Sequence, residues 1–144
     1  MISVSIANQQ EALELDFARI REVGKAVLAG EGVTQGKVTC AFMTDAAIHV
    51  LNKRFLNHDE PTDVITFPYS DKPLQGDLAI SVDTAATAAR ERGHGVGDEL
   101  LLYVIHGMLH LCGYDDQTEK ERRKMREREA HYLSELGVQA ARVD

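Results

Sequence analysis

Two histidines four residues apart, His106 and His110, begin a stretch of this sequence whose residue types suit a metal ion. The stretch reads HGMLHLCGYDD and covers residues 106–116. On an α-helix, residues i and i+4 share one face, so both imidazoles project in the same direction. Gly113 ends that helix and lets the chain turn back, which brings an aspartate over the same face. Two neutral nitrogens, one carboxylate oxygen and an open fourth position are typical of catalytic zinc.

The third ligand in this pattern is one of two neighbouring aspartates, Asp115 or Asp116. The spacing H-x3-H-x2-G-x2-D is similar to the metzincin pattern and favours Asp116. In zinc peptidases the residue after the first histidine is a glutamate that acts as general base, but here it is Gly107. The pattern therefore predicts a metal site without the base of a peptidase. Gly107 itself indicates either close packing against another backbone or room for a bulky substrate.

The surroundings of the two histidines are also predictable. A metal-binding histidine usually donates its other ring N–H to a carboxylate or carbonyl, and we expect Asp77 or Asp115 to accept it. Cys112 falls on the apolar side of the helix, opposite the histidines, and is predicted to be a small core residue rather than a fourth ligand. Two cysteines in 144 residues predict no disulfide framework and fit a reducing cytoplasm.

The elements that position these residues follow from the hydrophobic pattern. Residues 98–112 form a helix that is apolar on nearly every side, which is typical of a buried helix. Thr118 and Glu121 form a capping box for a last helix that ends at Gly137. Three more helices are predicted at 11–29, at 46–56 with Asp45 as cap, and from Asp83 or Thr84 to Arg92. Four strands are predicted at 2–6, 38–43, 64–67 and 76–82.

Together these elements predict one α+β domain over residues 1–144, with a small mixed β-sheet and about five helices. No apolar run approaches the roughly 20 residues of a membrane-spanning helix. The first residues lack the basic and apolar regions of a signal peptide, so we expect a cytoplasmic protein without a membrane partner. The net charge of −7 argues against a protein that binds nucleic acid through its overall charge. Any RNA-binding groove must therefore be a basic region confined to one part of the surface.

Four stretches, in the same order, resemble the YbeY family of metal-dependent endoribonucleases. They are LNKRFLNHDEPTDVITFP at 51–68, GDLAISVDTA at 76–85, GHGVGDELLLYVIHG at 93–107 and the HGMLHLCGYDD stretch. The resemblance implies an α+β fold with a zincin-like metal helix, on which one Zn²⁺ is held by His106, His110 and Asp116. It also implies zinc-dependent cleavage of single-stranded RNA in 16S rRNA 3′-end maturation and ribosome quality control.

The sequence departs from the family pattern at two positions. Asp116 stands where the family usually has a third histidine, and an anionic ligand should leave the metal a weaker Lewis acid. Leu56 stands where the family has a commonly functional arginine, and leucine cannot hold a phosphate. Lys53, which shares a helix face with position 56, and the nearby Arg54 are candidate catalytic cations. His94 is a candidate general acid–base.

The implied reaction is phosphodiester cleavage, either by a metal-activated water or by attack of the RNA 2′-hydroxyl. A cation is needed for the developing charge, and Arg90 and Arg92 are further candidates for it. The resemblance implies ribosomal RNA, a ribosomal protein and an assembly GTPase as partners. Two alternatives remain open. One is a non-catalytic, metal-stabilised ribosome-assembly factor, favoured by Leu56 and the acidic charge; the other is a zinc peptidase with its base elsewhere.

Overall fold

The computed structural model describes residues 1–140, in which a four-stranded sheet is covered by five helices. The strands are β1 (Ile2–Asn8), β2 (Gly36–Met43), β3 (Val64–Asp71) and β4 (Leu74–Ser81). The helices are α1 (Phe17–Gly30), α2 (Asp45–Leu56), α3 (Val82–Arg92), α4 (Val96–Leu111) and α5 (Glu119–Glu135). This arrangement confirms the predicted α+β class.

The sheet has the order β1-β2-β4-β3, with β3 at one edge. Strands β1, β2 and β4 are parallel and β3 runs antiparallel to β4, so the sheet is mixed, as predicted. Side chains alternate across a strand. Leu78 and Ile80 of β4 join the main core, which also contains residues of α1 and α4, whereas Ala79 joins a smaller cluster with Ile48 of α2. Helices α4 and α2 therefore cover opposite faces of the sheet.

Helix α4 carries the two histidines through the middle of the molecule. Twelve of its sixteen residues are buried, which confirms the prediction of a buried helix. It packs on strands β3 and β4 and is flanked by α1, α3 and α5. Even so, no helix among residues 1–140 combines the length and the apolar character needed to cross a membrane.

Gly107 allows α4 to approach the sheet closely. A Cβ atom at this position would lie 2.8 Å from both δ-carbons of Leu78, which is itself fully buried on β4. Close packing is therefore the role of this glycine, although its neighbour is a side chain and not the backbone that the sequence suggested. Because Leu78 fills this side of the helix, Gly107 provides no space for a substrate.

Gly107→Ala is expected to lower the free energy of unfolding relative to Gly97→Ala by about 1–3 kcal/mol, the usual cost of overpacking a core. Both glycines lie in α4, but a Cβ on Gly97 would meet nothing within 4 Å. The two positions differ in packing at the new Cβ. The gain in helix propensity, at most about 1 kcal/mol, is larger at the interior Gly107 and acts against the expected destabilisation. Urea unfolding of both variants measures the difference. Equal stabilities would show that Leu78 moves aside without cost.

Helix α1 begins six residues later than predicted, at Phe17 instead of residue 11. The Gln10 side chain accepts a hydrogen bond from Leu13 N at 2.8 Å and donates one to Leu13 O at 2.9 Å. A side chain that pairs with nearby backbone in this way competes with a helix. Asp16 then caps α1 by accepting a hydrogen bond from Arg19 N. The apolar spacing before residue 17 was therefore misleading.

Two helix caps also differ from the predicted ones. Helix α3 is capped by Ser81 and not by Asp83 or Thr84, and α2 is capped by Thr44 and not by Asp45. The Asp45 carboxylate instead accepts hydrogen bonds from Ser81 Oγ at 2.6 Å and from Thr84 Oγ1 at 2.7 Å. It therefore ties the start of α2 to the start of α3, a long-range contact that no local pattern reveals.

Strand β3 continues to Asp71, four residues past its predicted end. The register against β4 shifts between Pro68 and Ser70. Proline is tolerated at a bulge and on an edge strand, where its missing N–H breaks no essential ladder bond. The capping box of Thr118 and Glu121 on α5 is confirmed.

Candidate metal centre

Three side chains from one short stretch converge beside α4. His106 and His110 lie on successive turns, and Gly113, with φ +102°, reverses the chain after the helix. Asp116 then returns over the histidines. Its Oδ2 lies 3.5 Å from His106 Nε2 and 3.6 Å from His110 Nε2. One ligand atom from each of the three residues lies within 4.8 Å of the other two.

These separations fit a shared metal ion. Two ligand atoms bound to a tetrahedral zinc ion at 2.0–2.1 Å stand about 3.4 Å apart. Direct hydrogen bonds would bring the same atoms to about 2.9 Å. The observed 3.5 and 3.6 Å are longer than such bonds and match ligands around one ion. Of the two aspartates left open by the sequence, the structure brings Asp116 to the histidines, whereas Asp115 is exposed and faces a different cavity.

A buried glutamate on α5 orients the first histidine. Glu129 Oε2 lies 2.5 Å from His106 Nδ1, so Nδ1–H donates to the carboxylate. The other ring nitrogen, Nε2, then faces Asp116 with its lone pair available for a metal. Arg126 supports the carboxylate from the same helix, with Nη1 at 3.2 Å from both oxygens. The group therefore combines three potential ligands with an outer carboxylate, an arrangement that zinc sites generally have.

The expectation that Asp77 or Asp115 would accept this bond was wrong. Asp77 accepts a hydrogen bond from the Tyr69 hydroxyl at 2.9 Å, and its side chain lies on the α2 side of the sheet. A signal for the actual partner does exist in the sequence of α5. Glu129 falls at helical spacing between Met125 and Tyr132 on the buried face, where an unpaired charge would be costly.

A second polar group lies on the same face of α4, nearer its start. Glu99 is fully buried, and its two oxygens accept hydrogen bonds from Arg92 at 2.6 Å and His94 at 2.5 Å. Burial, with the nearby charge of Glu99, raises the pKa of Tyr103, so this phenol stays protonated. Glu99 precedes His106 by two helical turns, about 10 Å. The role of His94 as a general acid–base stays a prediction. Its imidazole ring is held by the hydrogen bond to Glu99.

The other predicted catalytic side chains lie on α2, which covers the opposite face of the sheet. Lys53 pairs with Asp59 at 3.9 Å, and the guanidinium of Arg54 lies 5.4 Å from the centre of the Phe55 ring. Leu56 is 49% exposed at the end of the helix. None of these contacts joins Lys53 or Arg54 to the histidine group. Their catalytic role stays a prediction.

Cys112 ends α4 and is not among the three residues of the histidine group. It is half-buried and lines a cavity together with Glu31 and Leu74. Burial, followed by the charge of Glu31, raises the pKa of the Cys112 thiol to about 11. Cys112 is partly buried and packs against the main core, as the sequence suggested.

Comparison with known proteins places this geometry in a family. The family model described as "Endoribonuclease YbeY" matches residues 5–137. A protein named Endoribonuclease YbeY from Rhodopirellula baltica is 40% identical over 131 residues, which are 88% of this chain and 68% of the relative. Another of the same name, from Carboxydothermus hydrogenoformans, is 37% identical over 140 residues, covering 93% of this chain and 97% of the relative.

The fold also matches a solved structure. The solution structure of TM1509 from Thermotoga maritima superposes with a TM-score of 0.67 at 28% identity and covers 94% of this chain and 89% of that one. The range matched by the family model includes α4 and the loop that carries Asp116. The chain belongs to the Endoribonuclease YbeY family.

Proposed function

We propose that this protein is a zinc-dependent endoribonuclease that cleaves single-stranded RNA at the His106–His110–Asp116 group. The observation that carries the proposal is the placement of two imidazole nitrogens and one carboxylate oxygen at separations suited to one ion. The set leaves a coordination position for water or substrate, as catalytic zinc sites do. The relatives named as endoribonucleases support RNA as the substrate class.

The residues of the chain have distinct roles in this proposal. A bound zinc ion supplies Lewis acidity and lowers the pKa of a coordinated water. His106 and His110 would hold the ion through Nε2, and Asp116 would add a negative oxygen donor. Glu129 fixes the tautomer of His106 by accepting its Nδ1–H. Gly107 contacts Leu78 in the core, so the position that holds the base of zinc peptidases carries none here.

The biological setting that we propose rests on membership of the family. The substrate is the 3′ region of 16S rRNA, and the chain acts in its maturation and in ribosome quality control as a single domain in the cytoplasm. A ribosomal protein and an assembly GTPase deliver the protein to its substrate. Such delivery would help an acidic chain, with net charge −7, to reach a polyanion.

The direct test is cleavage of end-labelled RNA that contains the 3′ end of 16S rRNA. The purified chain is assayed after zinc loading, after chelation and after zinc is restored. We expect cleavage only with zinc, in unpaired RNA and not in a duplex of the same sequence. A strand carrying one 2′-deoxy nucleotide at the cleavage site distinguishes hydrolysis, which tolerates it, from attack by the 2′-hydroxyl, which does not.

A non-catalytic role is the second candidate, and the exposed Leu56 favours it, because this position offers no cation to a phosphate. In that case zinc binds with the expected affinity, and RNA remains intact under all three conditions. Cleavage that persists after chelation would instead point to a contaminating nuclease and contradict the proposal.

A further inference from the structure

Basic residues cluster on helix α5, which also carries five glutamates and therefore has a small net charge. Six of the sixteen Lys and Arg residues lie between residues 120 and 128, in α5, although the whole chain has a net charge of −7. Helix α5 packs on α4 and brings Glu129 to His106. The densest run of cations in the sequence therefore passes directly beside the candidate metal centre.

Two of these cations contact residues that surround the metal centre. Arg122, Arg126 and Glu129 follow one another at i, i+4 and i+7, which places them on one face of α5. Arg122 Nη1 lies 3.4 Å from the carbonyl oxygen of Asp116 and 3.1 Å from that of Gln117. Arg126 contacts both oxygens of Glu129. One guanidinium thus lies on the Asp116 side of the histidines and the other on the Glu129 side.

The other cations of α5 are directed elsewhere. Arg123 is exposed and pairs with Glu119 at 3.9 Å. Arg128 binds Glu31 at 2.6 Å, and Lys124 lines the cavity near that glutamate. The positive side chains near the histidines therefore belong to one face of α5, and the other basic residues of the helix do not contribute to this region.

We propose that Arg122 and Arg126 form the phosphate-binding edge of the RNA site, contacting the strand that passes over the metal centre. This inference rests on the proposed endoribonuclease function and names the residues that hold its substrate. Guanidinium groups bind phosphate oxygens through paired N–H donors. Side chains at i and i+4 stand roughly 5–6 Å apart at Cβ, a spacing that suits neighbouring phosphates of one strand.

Arg122 is the stronger of the two contacts. Its side chain is exposed, and the groups that hold it are neutral carbonyls, which position the guanidinium without cancelling its charge. Within the described part of the chain no carboxylate lies within ion-pair distance of Arg122. Arg126 shares its charge with Glu129, so its contribution to phosphate binding is smaller.

The test is RNA binding measured by fluorescence anisotropy with a labelled, unstructured RNA over a range of salt concentrations. Arg122→Ala is expected to weaken binding roughly tenfold and to reduce the salt slope by about 0.7, the loss of one phosphate contact on a single strand. Arg126→Ala should have a smaller effect of the same kind, restored by Arg126→Lys. Arg123→Ala, the matched control on the outer face, should change affinity less than about twofold.

Zinc content and cleavage rate separate this inference from the proposed function. Arg122→Ala should bind zinc normally and raise KM more than it lowers kcat, because among residues 1–140 the Arg122 side chain donates its hydrogen bonds to backbone carbonyls of the metal loop. Equal losses of RNA affinity in Arg122→Ala and Arg123→Ala would overturn the inference, as would an unchanged salt slope. A wild-type chain that binds RNA through Arg122 but never cleaves it would contradict the proposed function and leave this inference standing.

Discussion

A variant carrying both His106→Ala and His110→Ala is expected to retain no zinc and to cleave RNA no faster than buffer. Two of the three candidate ligands are removed, and the remaining carboxylate of Asp116 cannot hold the ion alone. The expected loss is therefore complete and not partial. Zinc is measured by mass spectrometry after gel filtration, and cleavage is measured with the labelled RNA used for the wild-type chain.

The two neighbouring aspartates provide a finer form of the same test. Four-ligand structural zinc sites bind with about 10–16 kcal/mol, so one ligand accounts for about 3 kcal/mol, or roughly a hundredfold in affinity. Asp116→Ala should lose this factor, whereas Asp115→Ala should bind zinc like the wild type, since its side chain is exposed and outside the group. The reverse pattern would assign the ligand to Asp115 and would contradict the geometry.

Circular dichroism shows whether these variants are folded. His106 is buried and pairs with Glu129, so its removal also affects the core, whereas His110 is partly exposed. His110→Ala alone should therefore keep the wild-type fold and still lose zinc. If a folded His110→Ala variant retained both zinc and activity, the metal centre would have to lie elsewhere.

Glu129→Gln is expected to weaken zinc binding by about 10–100-fold, the usual effect of removing an outer carboxylate from a metal-bound histidine. The substitution keeps the size of the side chain but removes the charge that His106 Nδ1–H and Arg126 both contact. The imidazole is then less basic and less firmly oriented. Glu129 acts through His106, so it is a positioning residue and not a ligand.

Competition with a chromophoric chelator measures this affinity, and the cleavage rate is compared at saturating zinc. We expect saturation to recover much of the rate, which a destroyed site would not do. Glu127→Gln is the matched control, since Glu127 lies on the same helix with an exposed side chain. An unchanged zinc affinity in Glu129→Gln would show that the short contact to His106 does not orient the ring.

The proposed RNA site has to be reconciled with an acidic chain. The net charge of −7 made RNA binding difficult to reconcile with composition alone. Helix α5 carries six Lys or Arg residues and five Glu residues, so its net charge is small. Arg122 nevertheless lies beside the Asp116 loop, and none of the described carboxylates is within ion-pair distance of it. Local potential near a site governs the approach of a charged substrate more than the total charge does.

The sequence by itself determined the features that depend on short spacing. The i, i+4 placement of His106 and His110, the turn at Gly113 and the return of Asp116 all lie within eleven residues, so helix geometry is sufficient to bring them together. The same holds for the buried α4 and for the capping box on α5. The start of α1 was predicted less accurately, because the Gln10 side chain forms hydrogen bonds with nearby backbone groups that a helix would otherwise use.

Only the tertiary structure decided which distant residues complete the site. Glu129 lies 23 residues from His106 and reaches it because α5 packs across α4 through Met125 and Tyr132. The same packing brings Arg122 to the Asp116 loop, while α2 carries Lys53 and Arg54 to the other face of the sheet. The spacing of residues along one helix determines which side chains of that helix lie next to each other. Which residues of two different helices come into contact depends on how both helices pack their apolar faces into the common core.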